Sequence, residues 1–463
     1  MNSTPNINQK QFIHWETIFS AFSIVILLAI FLYHLYKVAS TAVDLPFWDD
    51  WTFFPNDSPT WVLDFLNEHR TVPTKAMIAL LFRLDGWDIQ FTIISNFLIF
   101  GLTILIFISF LKWACENVPT WAIILLSTCL LSPKVGEVHQ WGIGSIWHFV
   151  ILFGTIAVWL LFAGKSFWSK VLGVLFLLLS LYSTGQGLAF SAFALAIWLT
   201  SEVLISLEIH KKLITKTTIE STVIAIIYLI GLVLWFHGFR RIPSHAVPAG
   251  PWTIEFWNYF GVMIQNGFGF LYKLSFKMPW LGIITYAVLT VVPIAILIAR
   301  RIHNRCSLSK KICAVIAMIC GVSGIVFLTC YGRANFPIES ATAGRYLYYV
   351  LFLIPLSVVL WAEIISLRSQ TSKQYFILGI CIGFIGLQFR HVRRFDQYEQ
   401  NRASRLRNIG IIADYYKNDG PHPLYLPDFW VPLDKYLNEA QVKRYSFYRK
   451  IQIDGRHNEA ISP

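Results

Sequence analysis

"ETIFSAFSIVILLAIFLYHLYKV" (residues 16–38) is the stretch whose reading decides the fold. It is long enough to cross a hydrocarbon core, which takes about 20 residues of helix. It has no small-residue cleavage site, so it reads as a retained first span rather than a removable signal peptide. The whole chain has the same character. Of its 463 residues 56% are hydrophobic and 14% charged, with 18 Trp and 37 Phe and a mean hydropathy of +0.56; a soluble domain carries about 25% charged residues. These values predict an all-α polytopic membrane protein.

Apolar runs outward from this first span predict about eleven transmembrane helices on the ~20-residue criterion. They lie at 17–38, 89–111, 119–133, 146–163, 169–183, 188–207, 219–237, 280–299, 312–331, 345–366 and 375–389. Residues 1–389 thus form the membrane domain and 390–463 a soluble tail. No internal repeat of the kind found in inverted-repeat transporters is visible. Five of the seven cysteines fall in or at the ends of apolar runs without metal-site spacing, and read as small core residues. The net charge of +12 sits in short loops, where the positive-inside rule and anionic lipid account for it, and nucleic acid is not an expected partner.

With the N-terminus cytoplasmic, the densest basic loops, 208–218 and 300–311, both fall inside. The outer segments are then 39–88, 134–145, 184–187, 238–279, 332–344 and the tail. The tail's first residues, "RHVRRF" (390–395), taken alone fit the opposite side. In the first outer loop, "NDSPTWVLDFLNEHR" (56–70) reads as an interfacial amphipathic helix with Ser58 as N-cap and Pro59 at its first position. "KAMIALLFRL" (75–84) reads as a second interfacial or re-entrant helix, too short to span.

Three constellations on the outer side have the makings of chemistry. "LPFWDDWTFF" (45–54) sets Asp49 and Asp50 side by side among aromatic residues. Mutual repulsion and desolvation would raise the pKa of one and poise it as a base; the alternative is a solvated acidic turn. "NEHR" (67–70) offers Glu68, His69 and Arg70, with Arg70 suited to a phosphate or, alternatively, to snorkelling toward headgroups. "YGRANFPIESATAGRYLYY" (331–349) puts Arg333 and Arg345 at the outer ends of successive spans. That placement runs against the inside bias and calls for a partner, either an acid of the first loop or an anionic ligand; the alternative is an arginine that anchors the span among interfacial tyrosines. "EVHQWGIGSIWH" (137–148) adds His139, Gln140, Trp141 and His148 as a sugar-binding face or as ordinary interfacial residues. The Pro-rich loop from 236 adds Arg240 and Arg241.

This combination of an acid-bearing first outer loop and arginines at the outer ends of late spans resembles the GT-C superfamily of membrane glycosyltransferases. The likeness is to bacterial members that use polyprenyl-phosphate sugars: aminoarabinose transferases, protein mannosyltransferases and O-antigen glucosylating enzymes. It covers the topology of roughly residues 10–389, and "FWDDW", "NEHR" and "HQWG" look like segments of bacterial members. The chain lacks the large soluble outer domain of the best-known families, which leaves the acceptor (glycan, lipid or protein) unassigned.

The resemblance implies a GT-C-like fold in the inner (plasma) membrane with its active site on the periplasmic face. It also implies a polyprenyl-phosphate sugar donor, one of Asp49 and Asp50 as base (Asp49 the first choice), and phosphate contacts from Arg70, Arg333 and Arg345, with Lys273 and Lys277 as further candidates. No cofactor is required, although the acids could ligate a divalent metal. A transporter or flippase of lipid-linked sugar would instead place its charges near the bilayer midplane. An O-antigen polymerase or ligase would rely on Arg240, Arg241 and the 238–279 loop, and a structural scaffold would need neither set.

Overall fold

The computed structural model describes residues 7–53, 60–211, 215–242, 247–270, 272–304, 308–365, 370–390, 392–418, 424–426 and 432–451. Among them ten helices are long and apolar enough to cross a membrane, and the shorter apolar helix Phe167–Leu181 stands where the sequence places an eleventh. The helices are, in chain order, α1 (Ile7–Thr41), α2 (Val72–Asp85), α3 (Ile89–Ala114), α4 (Thr120–Ser127), α5 (Gly136–His139), α6 (Ser145–Ala163), α7 (Phe167–Leu181), α8 (Gly185–His210) and α9 (Lys216–Phe236). There follow α10 (Ile254–Phe268), α11 (Tyr272–Lys277), α12 (Trp280–Tyr286), α13 (Val292–Asn304), α14 (Lys310–Arg333), α15 (Gly344–Ile364), α16 (Gln370–Phe389), α17 (Asp396–Asn418) and α18 (Asp434–Lys443).

Breaks in the long helices have local causes. The span from α4 to α5 is interrupted at Ser132–Pro133, where the ring of Pro133 cannot continue a helix and two short 3-10 turns intervene. Helices α12 and α13 join through a π-helical turn at Ala287–Val291, just before Pro293 removes a backbone donor. α14 and α15 run through the centre, largely buried, whereas α1 and α16 expose most of their apolar surface, as a lipid-facing helix does.

The 60s segment departs from the predicted interfacial helix. Trp61–Leu63 is a single 3-10 turn, and Phe65–Leu66 pairs with His69–Arg70 as a short antiparallel hairpin. Asn67 takes the left-handed conformation, φ 52°, at the hairpin turn, a position asparagine tolerates better than most residues. The reason is tertiary. Arg70 donates to the carbonyls of Trp235, His237 and Leu63, and Lys75 Nζ donates to those of Trp61 and Asp64; a helix over this segment would spend the carbonyls of Trp61, Leu63 and Asp64 internally. Ser58 and Pro59 lie outside the described residues. The predicted short helix at 75–84 is present as α2, begun earlier by Pro73 in its first turn.

The tail sits on the same side of the bundle as the first loop. Ser446 N donates to Gly86 O at 3.1 Å, Ser446 Oγ to Asp44 at 2.6 Å, and Lys450 pairs with Asp44 and Asp88 at 2.8 Å. The basic run from 390 is therefore at the first-loop end. At the other end, Lys310 meets Glu202 at 2.7 Å and Arg301 meets Glu208 at 3.7 Å, tying the basic loops together.

Helix α10 lies at the first-loop end, its backbone pressed on that of α12. A Cβ on Gly261 would sit 2.0 Å from Pro279 O, and one on Gly282 2.0 Å from Gly261 O. Because neither backbone can yield easily, Gly261→Ala is expected to cost at least the ~1–3 kcal/mol of an overpacked core. The expected result is a clear drop in the thermal unfolding midpoint of the purified protein; an unchanged midpoint would show that the crossing is looser than described.

Candidate functional site

A cleft of about 620 Å³ opens at the first-loop end of the bundle. Its walls come from the ends of α6, α8, α9, α14 and α15 and from the first loop, so residues far apart in the chain converge on one chamber. Of the residues singled out from the sequence, Asp49, Glu68, His69, Arg241, Arg333 and Arg345 line it. Trp48, Trp141, Trp147, Trp235 and Tyr346 supply an aromatic surface, and Thr184 and Gln186 add polar groups at the start of α8.

The two adjacent aspartates are separated by the 3-10 turn Trp48–Phe53. Asp50 is wholly buried and accepts the amides of Phe47 (3.0 Å), Gly142 (3.2 Å) and Ile143 (3.0 Å), stapling the loop to the turn before α6. A Cβ on Gly142 would lie 3.2 Å from Asp50 Oδ2, so glycine is what allows the carboxylate this close. Burial pushes the Asp50 carboxyl up to about 6, against the Arg405 charge and the three amides, which hold it down.

Arg405, in α17, is itself 1% exposed. Its guanidinium lies 4.7 Å from the Phe47 ring centre and donates to Gln140 O. Burial pushes Arg405 down to about 10, while the Asp50 charge opposes the shift. Asp49, by contrast, lines the cleft. The residue is exposed to the cleft, and partial desolvation there raises its carboxyl, with the charges of Arg345 and Arg333 holding it back.

The two arginines differ in how they are held. Arg345 pairs with Glu137, whose other oxygen accepts Gly344 N at 2.8 Å, and its guanidinium carbon stands 5.0 Å from the Tyr346 ring and 5.6 Å from Trp141. The partner the sequence demanded is thus an acid of α5, not of the first loop. Arg333 closes α14, where a cation suits the helix C-terminus. It stacks 5.1 Å from Phe336, and among the described residues no ion pair or hydrogen bond engages its guanidinium.

His69 Nδ1 accepts Gly185 N at 3.2 Å, so in the neutral ring the proton belongs on Nε2. Glu68 Oε1 accepts Ile242 N at 3.1 Å.

The remaining candidates lie elsewhere. Arg70 is spent on three backbone carbonyls and on Phe65, 4.1 Å from its ring centre. His139 is buried against Phe100 and Phe97, at 4.6 and 5.1 Å between ring centres. Gln140 is buried and bonds to Thr41, Asn401 and Tyr398 O. Arg240 and Lys273 are exposed and outside the cleft lining. Among the described residues no group of three or more His, Cys, Asp or Glu side chains is placed to hold a metal ion.

Sequence reasoning passed over Glu137 and Arg405. Glu137 stood within the quoted "EVHQWG", and an acid at the same end of the bundle as an unpartnered arginine was the available signal. Arg405 gave none, being more than 350 positions from Asp50. No family model, curated protein or solved structure matches the chain.

Proposed function

We propose that the protein is a membrane glycosyltransferase that moves a sugar from a polyprenyl-phosphate donor to a hydroxyl of a cell-envelope glycan, lipid or protein. In this reading it works on the periplasmic face of the inner membrane. The observation that carries the proposal is the convergence of one carboxylate, Asp49, with Arg333 and Arg345 in a single aromatic-walled cleft at one end of the bundle. A lipid-anchored donor presents its phosphate at that depth, with its sugar beside the tryptophans.

In this mechanism the acceptor oxygen attacks the anomeric carbon while Asp49 takes its proton. The bond between the anomeric carbon and the phosphate oxygen breaks, and its electron pair leaves with the lipid phosphate. A phosphate is already a stable leaving group, so it needs cations rather than a general acid; Arg333 and Arg345 supply them. The step balances with one base and two guanidinium groups. Asp50, locked on three amides, shapes the turn that presents Asp49 rather than meeting substrate.

The test is transfer of labelled sugar from a panel of polyprenyl-phosphate sugars to cell-envelope acceptors, in membranes carrying wild type or Arg333→Gln at matched expression. Removing one cation from the developing phosphate charge is expected to lower transfer by about 10²–10³. Full transfer by Arg333→Gln would take that residue out of the chemistry. Donor moved across the bilayer without transfer would favour a transporter.

A further inference from the structure

Behind the cleft, at the broken span between α4 and α5, lies a second group of cations. Lys134 is 6% exposed, and its Nζ donates to Asn266 O at 2.9 Å, a carbonyl in the last turn of α10. An ammonium has three N–H groups, and among the described residues no second acceptor meets this one. The turn Pro133–Val135 that carries it packs against the end of α16 and against the turn Val392–Phe395, and the charges that act on it are those of Arg390, just after α16, and Arg394, in that turn. Both have its own sign. Glu137, one turn further on, is committed to Arg345 and Gly344 N. Arg394 also feels Tyr272 of α11, the short helix that carries Lys273 and Lys277, both exposed.

A buried ammonium with donors to spare, in a neighbourhood whose acting charges are of its own sign, suits an anion with several acceptor oxygens. The surroundings indicate which anion. Arg390 directly follows α16, whose outer face is open to lipid. Side-chain atoms added at Gly379, Gly383 or Gly386 would meet nothing within 4 Å. These three glycines share one face of the helix, with Phe376 and Ile382 exposed beside them. They leave a strip of the span without side-chain bulk, leading toward its end at Phe389, next to Arg390.

We propose that this corner seats an anionic phospholipid, its phosphate between Lys134, Arg390 and Arg394 and an acyl chain along the glycine face of α16. The Lys134 backbone adjoins Gly344, since a Cβ there would lie 2.9 Å from Lys134 O. The seated lipid therefore braces the turn that holds Glu137 and Arg345. The seat does not depend on the proposed sugar transfer.

The test uses the full-length protein in nanodiscs of phosphatidylcholine with increasing phosphatidylglycerol, reading lipid retention by native mass spectrometry and the thermal unfolding midpoint. Wild type should retain phosphatidylglycerol selectively and melt higher as its fraction rises. Arg390→Gln and Arg394→Gln should each weaken retention roughly fivefold, the weight of about one basic residue at a lipid surface. These side chains are less buried than Lys134, so the variants test the seat even where Lys134→Met fails to fold. Gly383→Leu should reduce retention by filling the bare strip where the acyl chain is proposed to lie.

Equal retention of the two lipids, or retention untouched by the arginine variants, would overturn the proposal. Displacement of the lipid by millimolar inorganic phosphate alone would overturn it in favour of a free-phosphate site. Because the readout is lipid retention, the result is independent of whether sugar transfer is found.

Discussion

Asp49→Asn is expected to reduce sugar transfer by about 10²–10⁴, the usual contribution of a positioned general base, while donor binding persists. The asparagine keeps the shape of the side chain and its place in the cleft but cannot take the acceptor's proton. Asp50→Asn should act differently, through the shape of the turn, and lower the folding midpoint along with the activity. The pH profile adds a second readout. Partial desolvation raises the Asp49 carboxyl above its ordinary value of 3.8, and Arg345 and Arg333 limit the rise. Transfer should therefore fall on acidification at a pH above the ordinary carboxylate range, and the acid limb should move further upward in Arg333→Gln, where one restraining charge is gone. A limb that stays put in that variant would show that Asp49 is not the titrating base.

Arg405→Ala is expected to destabilise the protein by about 3 kcal/mol or more, near the lower end for removing one partner of a buried charge pair. Arg405 and Asp50 act on each other through space rather than by a direct ion pair, which is why the lower end applies. The loss should depend on pH in a defined direction. Asp50 already titrates in the folded protein at about 6, against an ordinary 3.8. A carboxyl raised on folding binds more protons when native than when unfolded across that window, so its ionisation weakens the fold as pH rises through it. Without Arg405 the folded value moves higher still. The melting deficit of Arg405→Ala should be small near pH 4, grow through pH 6 and level off above the new folded value. Asp50→Asn in the same chain should recover part of the deficit, because a neutral amide needs no countercharge. A deficit that is flat between pH 4 and 8, with no recovery in the double variant, would show that Arg405 acts through its packing on Phe47 and its bond to Gln140 O rather than through the Asp50 charge.

How much of this was legible beforehand differs between the fold and the site. The spans were readable because each apolar run satisfies its backbone internally and meets lipid on its own; α3, α8 and α14 lie within a few residues of their predicted runs. The 60s segment was not, because Val62, Phe65, Leu66 and His69 have helical spacing. That local preference loses to Arg70, which bonds to carbonyls at the end of α9, and to Lys75, which takes the carbonyls of Trp61 and Asp64 that a helix would need. Residue type and spacing mark the candidate residues but not which of them share one cleft. "DD" looks the same at both positions until the amides of Gly142 and Ile143 claim one carboxylate and leave the other facing the cleft.

The sequence by itself determined that the protein is a multispan helical membrane protein, that its acids gather in the first loop and that arginines stand at the ends of late spans. These follow from length, hydropathy and charge along one strand of text, which set how each segment meets lipid and water. The tertiary structure alone decided that Asp49 rather than Asp50 faces the cleft, that Arg345 is held by Glu137, and that Arg405 of the tail backs the loop from more than 350 residues away. A buried charge is stable only where its partners come to meet it, and which partners arrive depends on how the helices pack.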